Sequence, residues 1–214
     1  MTEILVIRHG ETAWNFEARL QGHLDIALNQ HGVAQAQLLA QALHDEPLDA
    51  IIASDLQRAY QTAEAIAGPR GITVTIDRDL RERCFGGFEG LLYDDIEMHF
   101  PHAYQQWKAR EIDARYPPGK HEAETLREFS ARSLRSVIGH AQRHPGQRIA
   151  IVTHGGVLDC LYRAARDVDL ARARDFDILN TAVNRFSWDG MTLKLTSWGD
   201  VSHLAQTALD ELAQ

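Results

Sequence analysis

Residues 4–15 read ILVIRHGETAWN, and the theme returns near the other end of the chain as RIAIVTHGGV, residues 148–157. In both places a short apolar run, 4–7 and 149–152, leads into a histidine followed by glycine: Arg8-His9-Gly10 and His154-Gly155-Gly156. Four consecutive apolar residues suit a strand buried on both faces, and a cation or imidazole at its end needs an anion or polar partner to meet.

Working outward, the chain alternates strand and helix signals. Ala36, Leu39, Ala40 and Leu43 recur at helical spacing and stop at Pro47. LDAIIAS (48–54) reads as a second strand and SDLQRAYQTAEAIAG (54–68) as a helix, with Ser54 or Asp55 as N-cap, Ala59, Ala63 and Ile66 inward, and Gly68 at its end. ITVTI (72–76) is a third strand. Leu126, Phe129, Leu134, Val137, Ile138 and Ala141 form a long helical stripe closed by HPGQ (144–147), and a helix over 157–165 follows His154. TAVNRFSWDGMTLKLTSW (181–198) alternates on both sides of Asp189-Gly190, a hairpin signal. Only 83–120, punctuated by Pro101, Pro117 and Pro118, has no readable period.

This order predicts a three-layer α/β/α fold with a mostly parallel central sheet, on which ligands bind beyond the carboxyl ends of the strands. Arg8, His9 and His154 would share that rim. The helix after His154 would aim its N–H groups there too, an arrangement that favours phosphate.

Composition limits the partners. The chain has 214 residues, 44% of them apolar, enough for one generous α/β domain over 1–214. Its net charge of −8 argues against nucleic acid and anionic membranes, so any anion site must be a local concentration of cations. No apolar run approaches the roughly 20 residues of a membrane span, and the start of the chain lacks a signal-peptide pattern, so cytoplasm is the expected compartment. Cys84 and Cys160, far apart and without CxxC spacing, argue against a disulfide framework or structural zinc. Monomer and homodimer are both compatible with the sequence.

VIRHGETAWN (6–15), RLQGHLDIALNQHG (19–32), SDLQRAYQTAEAI (54–66), LRERCFGGFEG (80–90), VTHGG (152–156), NTAVNRFSW (180–188) and LTSWGDVSHL (195–204) together resemble the histidine phosphatase superfamily, in the branch of cofactor-dependent phosphoglycerate mutases and their phosphatase relatives. The resemblance spans nearly the whole chain and implies that family's fold, with 83–120 as a small cap. His9 would be the nucleophile that accepts a phosphoryl group, and Arg8 and Arg58 would grip its oxygens with guanidinium forks. His154, protonated beside the dianion, adds a donor; Asn15 and the Gly155 N–H complete the shell. Gln21 and Gly22 either lie near substrate or merely shape a loop. Glu82 matches the family's proton donor, its pKa raised by nearby phosphate charge. Such positioning needs no metal.

Each of these residues also has a plainer reading. Arg58 would pair with Asp55 at i−3, Glu82 would be one of several solvated charges, Glu11 and Thr12 would cap the turn after the first strand, and Cys84 would be a small buried hydrophobe or a redox-sensitive thiol. The expected activity is phosphomonoester hydrolysis on a small phosphorylated metabolite. The alternative is a mutase working through 2,3-bisphosphoglycerate, which needs further cations for a carboxylate and second phosphate. Here EGLLYDDIEMHF (89–100) has Tyr93 and carboxylates where the family's mutases supply a lysine, QQWKAREID (105–113) has Lys108 and Arg110 but no arginine pair, and Phe85 replaces a tyrosine. A non-catalytic phospho-ligand sensor would need the cations but neither nucleophile nor acid.

Overall fold

The structure is a computed structural model that describes residues 1–204; residues 205–214 of the expected 1–214 domain lie outside the described residues. In chain order the elements are β1 (Thr2–Arg8), α1 (Ala13–Phe16), α2 (Gln30–Ala42), β2 (Ala50–Ala53), α3 (Gln57–Ala67), β3 (Val74–Ile76), α4 (Tyr93–His99), α5 (Pro101–Lys108), α6 (Leu126–Arg143), β4 (Arg148–Thr153), α7 (Gly155–Arg166), β5 (Val183–Trp188) and β6 (Leu193–Asp200). The strands form one sheet in the order β3-β2-β4-β1-β5-β6. The β3–β2, β2–β4 and β4–β1 pairs are parallel, and β5 runs antiparallel to both β1 and β6.

Strand alternation sorts the core into two layers. Ile4 and Val6 of β1, Ile52 of β2 and Ile149 and Ile151 of β4 pack with Phe129 and Val137 of α6 and Leu158 and Leu161 of α7. Leu5, Ile7, Ile51, Ala150 and Val152 face the other way, onto Leu39 of α2 and Ala59, Ala63 and Ile66 of α3. The apolar runs are thus continuous because both faces of their strands are covered.

The long strands and helices follow the sequence expectation, but several ends differ. The N-cap of α3 is Leu56, not Ser54 or Asp55. Asp55 is instead held by Arg81 at 2.6 Å through each carboxylate oxygen, and Asp25, from a remote loop, accepts the Gln57 N–H at 2.7 Å. Gly68 is the C-cap of α3, as expected, and a 3₁₀ turn, Gly68–Arg70, continues from it to Gly71, which takes the left-handed conformation. The third strand covers only Val74–Ile76, and α7 begins two residues earlier than expected. The hairpin forms around Asp189, whose Oδ1 accepts the N–H groups of Met191 and Thr192.

Segment 83–120 carries no period because its apolar residues serve a local aromatic cluster. Leu20, Phe88, Ile96, Ala103 and Tyr116 are buried together, with Phe85, Tyr93, Phe100 and Trp107 against them. The break between α4 and α5 falls at Phe100, which precedes Pro101 and so is pushed out of helical geometry.

The turn after β1 rests directly on α2. Asn29, the N-cap of α2, donates to Glu11 Oε1 at 2.7 Å, Gln35 Oε1 accepts the Glu11 N–H at 2.8 Å, and a Cβ at Gly32 would lie 2.0 Å from the Glu11 carbonyl oxygen. Gly32→Ala should therefore force this turn away from α2, with a loss of about 1–3 kcal/mol in urea unfolding. Unchanged stability would show that the contact is slack.

Candidate active site

Parallel pairing of β1 with β4 puts Arg8 opposite Thr153, so the next residues, His9 and His154, leave the sheet edge side by side. The His9 N–H donates to the Thr153 carbonyl at 3.0 Å, and the two imidazoles lie edge to face with centroids 5.2 Å apart. Both rings are buried. His9 Nδ1 lies 2.7 Å from the Gly10 carbonyl oxygen. A carbonyl can only accept, so Nδ1 carries the proton and Nε2 keeps its lone pair. Burial, with the charges of Arg58 and Arg8, holds the His9 pKa well below the ordinary imidazole value, against the opposing effect of the Gly10 bond. His154 is likewise lowered, by burial first and then by Arg58. Its Nε2 meets Ser54 Oγ at 2.9 Å, and its Nδ1 is buried without a hydrogen-bond partner.

The backbone around His9 is fastened from three directions. Asn180 Nδ2 donates to the His9 carbonyl at 2.8 Å, and the Thr181 N–H donates to the Arg8 carbonyl at 3.0 Å. Thr62 Oγ1 accepts the Gly10 N–H and donates to the Arg58 carbonyl, joining the turn after His9 to α3. Thr62, Ser54 and Asn180 lie within motifs already quoted, yet nothing in their residue type marks them out; only contact does.

Two buried guanidiniums border the histidines. Arg8 Nη1 donates to the Ile178 carbonyl at 2.7 Å. Arg58 does not pair with Asp55: its Nη2 and Nη1 donate to the carbonyls of Gly22 and Leu24 at 2.8 and 2.9 Å. Gly22 has φ +52, and a Cβ there would meet Glu89 Oε1 at 2.1 Å, so this carbonyl depends on a glycine. Gln21 is buried beside it, its Oε1 without a hydrogen-bond partner. Asn15 has a local duty as well: Thr12 and Asn15 form the capping box of α1. Glu11 does not share this cap, being turned toward α2.

Glu82 is only 5% exposed, not a solvated loop charge. Its Oε2 accepts the Gly156 N–H at 3.0 Å at the start of α7, and its Oε1 accepts the Arg83 N–H at 2.7 Å. A Cβ at Gly156 would lie 2.2 Å from Oε1, so glycine is what lets the carboxylate rest on the helix end. Cys84 is buried and its thiol pushed up to about 12, chiefly by burial, which argues against a redox-sensitive thiol.

His9, Asn15, Gln21, Gly22, Arg58 and Glu82 line one narrow pocket of about 30 Å³, together with Trp14, Arg19 and Tyr93, which the sequence had not marked as site-lining. Leu20, Glu82, Phe85 and Tyr93 also border a larger cleft of about 980 Å³, where Gly155 lies. Arg8 and His154 line neither cavity and are fully buried beside His9.

The sequence matches the histidine phosphatase superfamily (branch 1) over residues 4–201. It is 42% identical to phosphoglycerate mutase-like protein 4 of Arabidopsis thaliana, over 96% of this chain and 88% of that one. It is 35% identical to the metal-independent phosphoserine phosphatase of the same plant, over 96% and 84%. Among solved structures, Bacillus stearothermophilus YhfR superposes with a TM-score of 0.87 at 35% identity, covering 95% of this chain and 99% of that one.

The two buried imidazoles carry a consequence for pH. Unfolded, they titrate near the ordinary value of about 6.5; folded, they refuse the proton. Their depressed pKa values contribute stability above that pH, lost as pH falls below it. The pair gives a slope of up to about 2.7 kcal/mol per pH unit, and His23, His140 and His203, also lowered by burial, add to it. Urea unfolding from about pH 8 to pH 5 should show stability falling below about pH 6.5, and His9→Asn should make the slope shallower by about one proton. An identical slope in the variant would contradict a buried neutral His9.

Proposed function

Because the chain belongs to the histidine phosphatase superfamily, we propose that it hydrolyses a small phosphorylated metabolite through a phosphohistidine on His9, without a metal ion. The observation that carries this reading is the His9–Gly10 bond, which leaves the Nε2 lone pair of a neutral imidazole as nucleophile in a pocket bordered by Arg58 and Glu82. Nε2 attacks phosphorus while the P–O bond to the leaving group breaks, and Glu82 gives that oxygen its proton. Water then attacks the phosphohistidine, Glu82 takes a proton from it, and the P–N bond breaks to release phosphate and free His9.

Arg8 and Arg58 offset the charge spread over the phosphoryl oxygens. His154 need not be protonated to help. If the Ser54 hydroxyl donates to Nε2, the neutral ring carries its proton on the buried Nδ1, which can donate to a phosphoryl oxygen. Asn15, Gln21, Gly22 and the Gly155 N–H are the remaining contacts in this reading. Segment 83–120 acts as a cap, a role supported by Phe85 and Tyr93, which border both cavities. No helix among the described residues is long and apolar enough to cross a membrane, in keeping with a cytoplasmic enzyme.

Hydrolysis is favoured over the mutase reaction by the cations of the large cleft. Arg110 is held by Asp159 at 2.7 Å and by the Leu170 carbonyl, and Arg83 by the Glu124 carbonyl and the Tyr116 hydroxyl. Lys108 lies over the Tyr104 ring. Arg83 and Arg110 are thus committed to groups of the protein itself, which counts against their gripping the carboxylate and second phosphate of a bisphosphoglycerate.

Phosphate release from a panel of phosphometabolites should survive exhaustive chelation, and His9→Ala should abolish both turnover and the acid-labile phosphoprotein. A requirement restored by magnesium or zinc, or a variant that still turns over, would overturn the mechanism.

The role of Glu82 predicts a dependence on leaving group. Glu82→Gln should slow phosphohistidine formation from alkyl phosphates by roughly 10²- to 10⁴-fold, and far less from p-nitrophenyl phosphate, whose phenolate departs unaided. Rapid quench separates this step from hydrolysis of the intermediate. Equal slowing with both substrates would remove Glu82 as the acid.

A further inference from the structure

We propose that Cys84, Glu89 and His121 form a binding site for one divalent cation of the zinc class, outside the phosphoryl pocket and tied to it through Glu89. The thiol sulfur, a carboxylate oxygen and an imidazole nitrogen all lie within 4.8 Å of one another. None of the three residues lines the pocket that holds His9. A sulfur, nitrogen and oxygen donor set suits zinc, with a fourth position for water, and bonds of about 2.0–2.3 Å require the ligands to draw together by about 1 Å.

The fold brings these donors together from separate segments. Cys84 and Glu89 flank the 3₁₀ turn Gly86–Phe88, and His121 follows the Pro117-Pro118-Gly119 stretch. A Cβ at Gly119 would lie 2.5 Å from the Gly86 carbonyl oxygen, so the segments are in close contact. The Glu89 side chain is 2% exposed, and His121, 3.3 Å away, is the basic side chain paired with it. His121 is one-third exposed and opens the cluster to solvent. Thiolate and carboxylate together balance the two charges of the cation, and the thiol proton leaves to solvent on binding.

Outer contacts orient the ligands. Glu89 Oε1 accepts the N–H groups of His23 and Phe85, and the Cys84 N–H donates to Glu124, itself held by Arg132. The same contacts reach the active rim. His23 Nε2 bonds the Glu82 carbonyl and adjoins Gly22, whose carbonyl anchors Arg58. Occupancy of this site would stiffen the loop that holds the phosphoryl pocket. The cation takes no part in the hydrolysis proposed above, so the site stands or falls separately.

Cobalt(II) is the probe. Titrated into chelator-stripped protein, it should bind at one equivalent with a near-ultraviolet sulfur-to-cobalt charge-transfer band. The band should vanish in Cys84→Ser and persist in Cys160→Ser. His121→Ala, which removes the most exposed of the three side chains, should weaken cobalt binding at least about tenfold. No band, a band that survives Cys84→Ser, or unchanged affinity in His121→Ala would each overturn the proposal.

Discussion

Parallel pairing of β1 and β4 in one register is the constraint on which the rest depends. With Arg8 opposite Thr153, the two strands deliver His9 and His154 to the same edge of the sheet. A slip of one residue would turn every apolar side chain of a strand to the other layer, so the two-faced core of Ile4, Val6, Leu5 and Ile7 specifies the placing of His9 and His154 as well as the fold. The site inherits its precision from hydrophobic packing.

That precision lets the protein keep two guanidiniums and two imidazoles in a region almost closed to water. Buried cations are costly unless their N–H groups find acceptors. Arg8 and Arg58 have backbone carbonyls of Ile178, Gly22 and Leu24 for this purpose, which orient their guanidiniums. The local field is positive within a chain whose net charge is −8. Burial first, and this field after it, lower the proton affinity of His9 and His154, an arrangement that suits the neutral nucleophile and the phosphoryl site proposed above.

Glycines allow this close assembly where the chain must approach itself. Gly22 admits Glu89 and Gly156 admits Glu82, and in each case a single carbon more would collide with the carboxylate. Glu82 and Glu89 thereby tie LRERCFGGFEG (80–90) to α7 and to the loop at 21–23 respectively. The motif works as a brace, with the buried carboxylates of Glu82 near one end and Glu89 near the other.

The sequence by itself determined the alternation of strand and helix, the two strand ends carrying histidine, the C-terminal hairpin and the main candidate residues, because buried strands and amphipathic helices leave their periods in the order of side chains. It did not determine what those side chains touch. Arg58 is not with Asp55 but with two carbonyls over 30 positions away in sequence; Asp25 caps α3 from another loop; Ser54, besides accepting the Leu56 N–H, reaches His154. Segment 83–120 stayed unread because its aromatic residues pack on one another and on Leu20, which leaves no period along the chain. Local propensity acts within a few residues of the chain, whereas hydrogen bonds and burial act through space, so the partners of Arg58, His154 and Glu82 were decided only when the tertiary structure brought distant segments into contact.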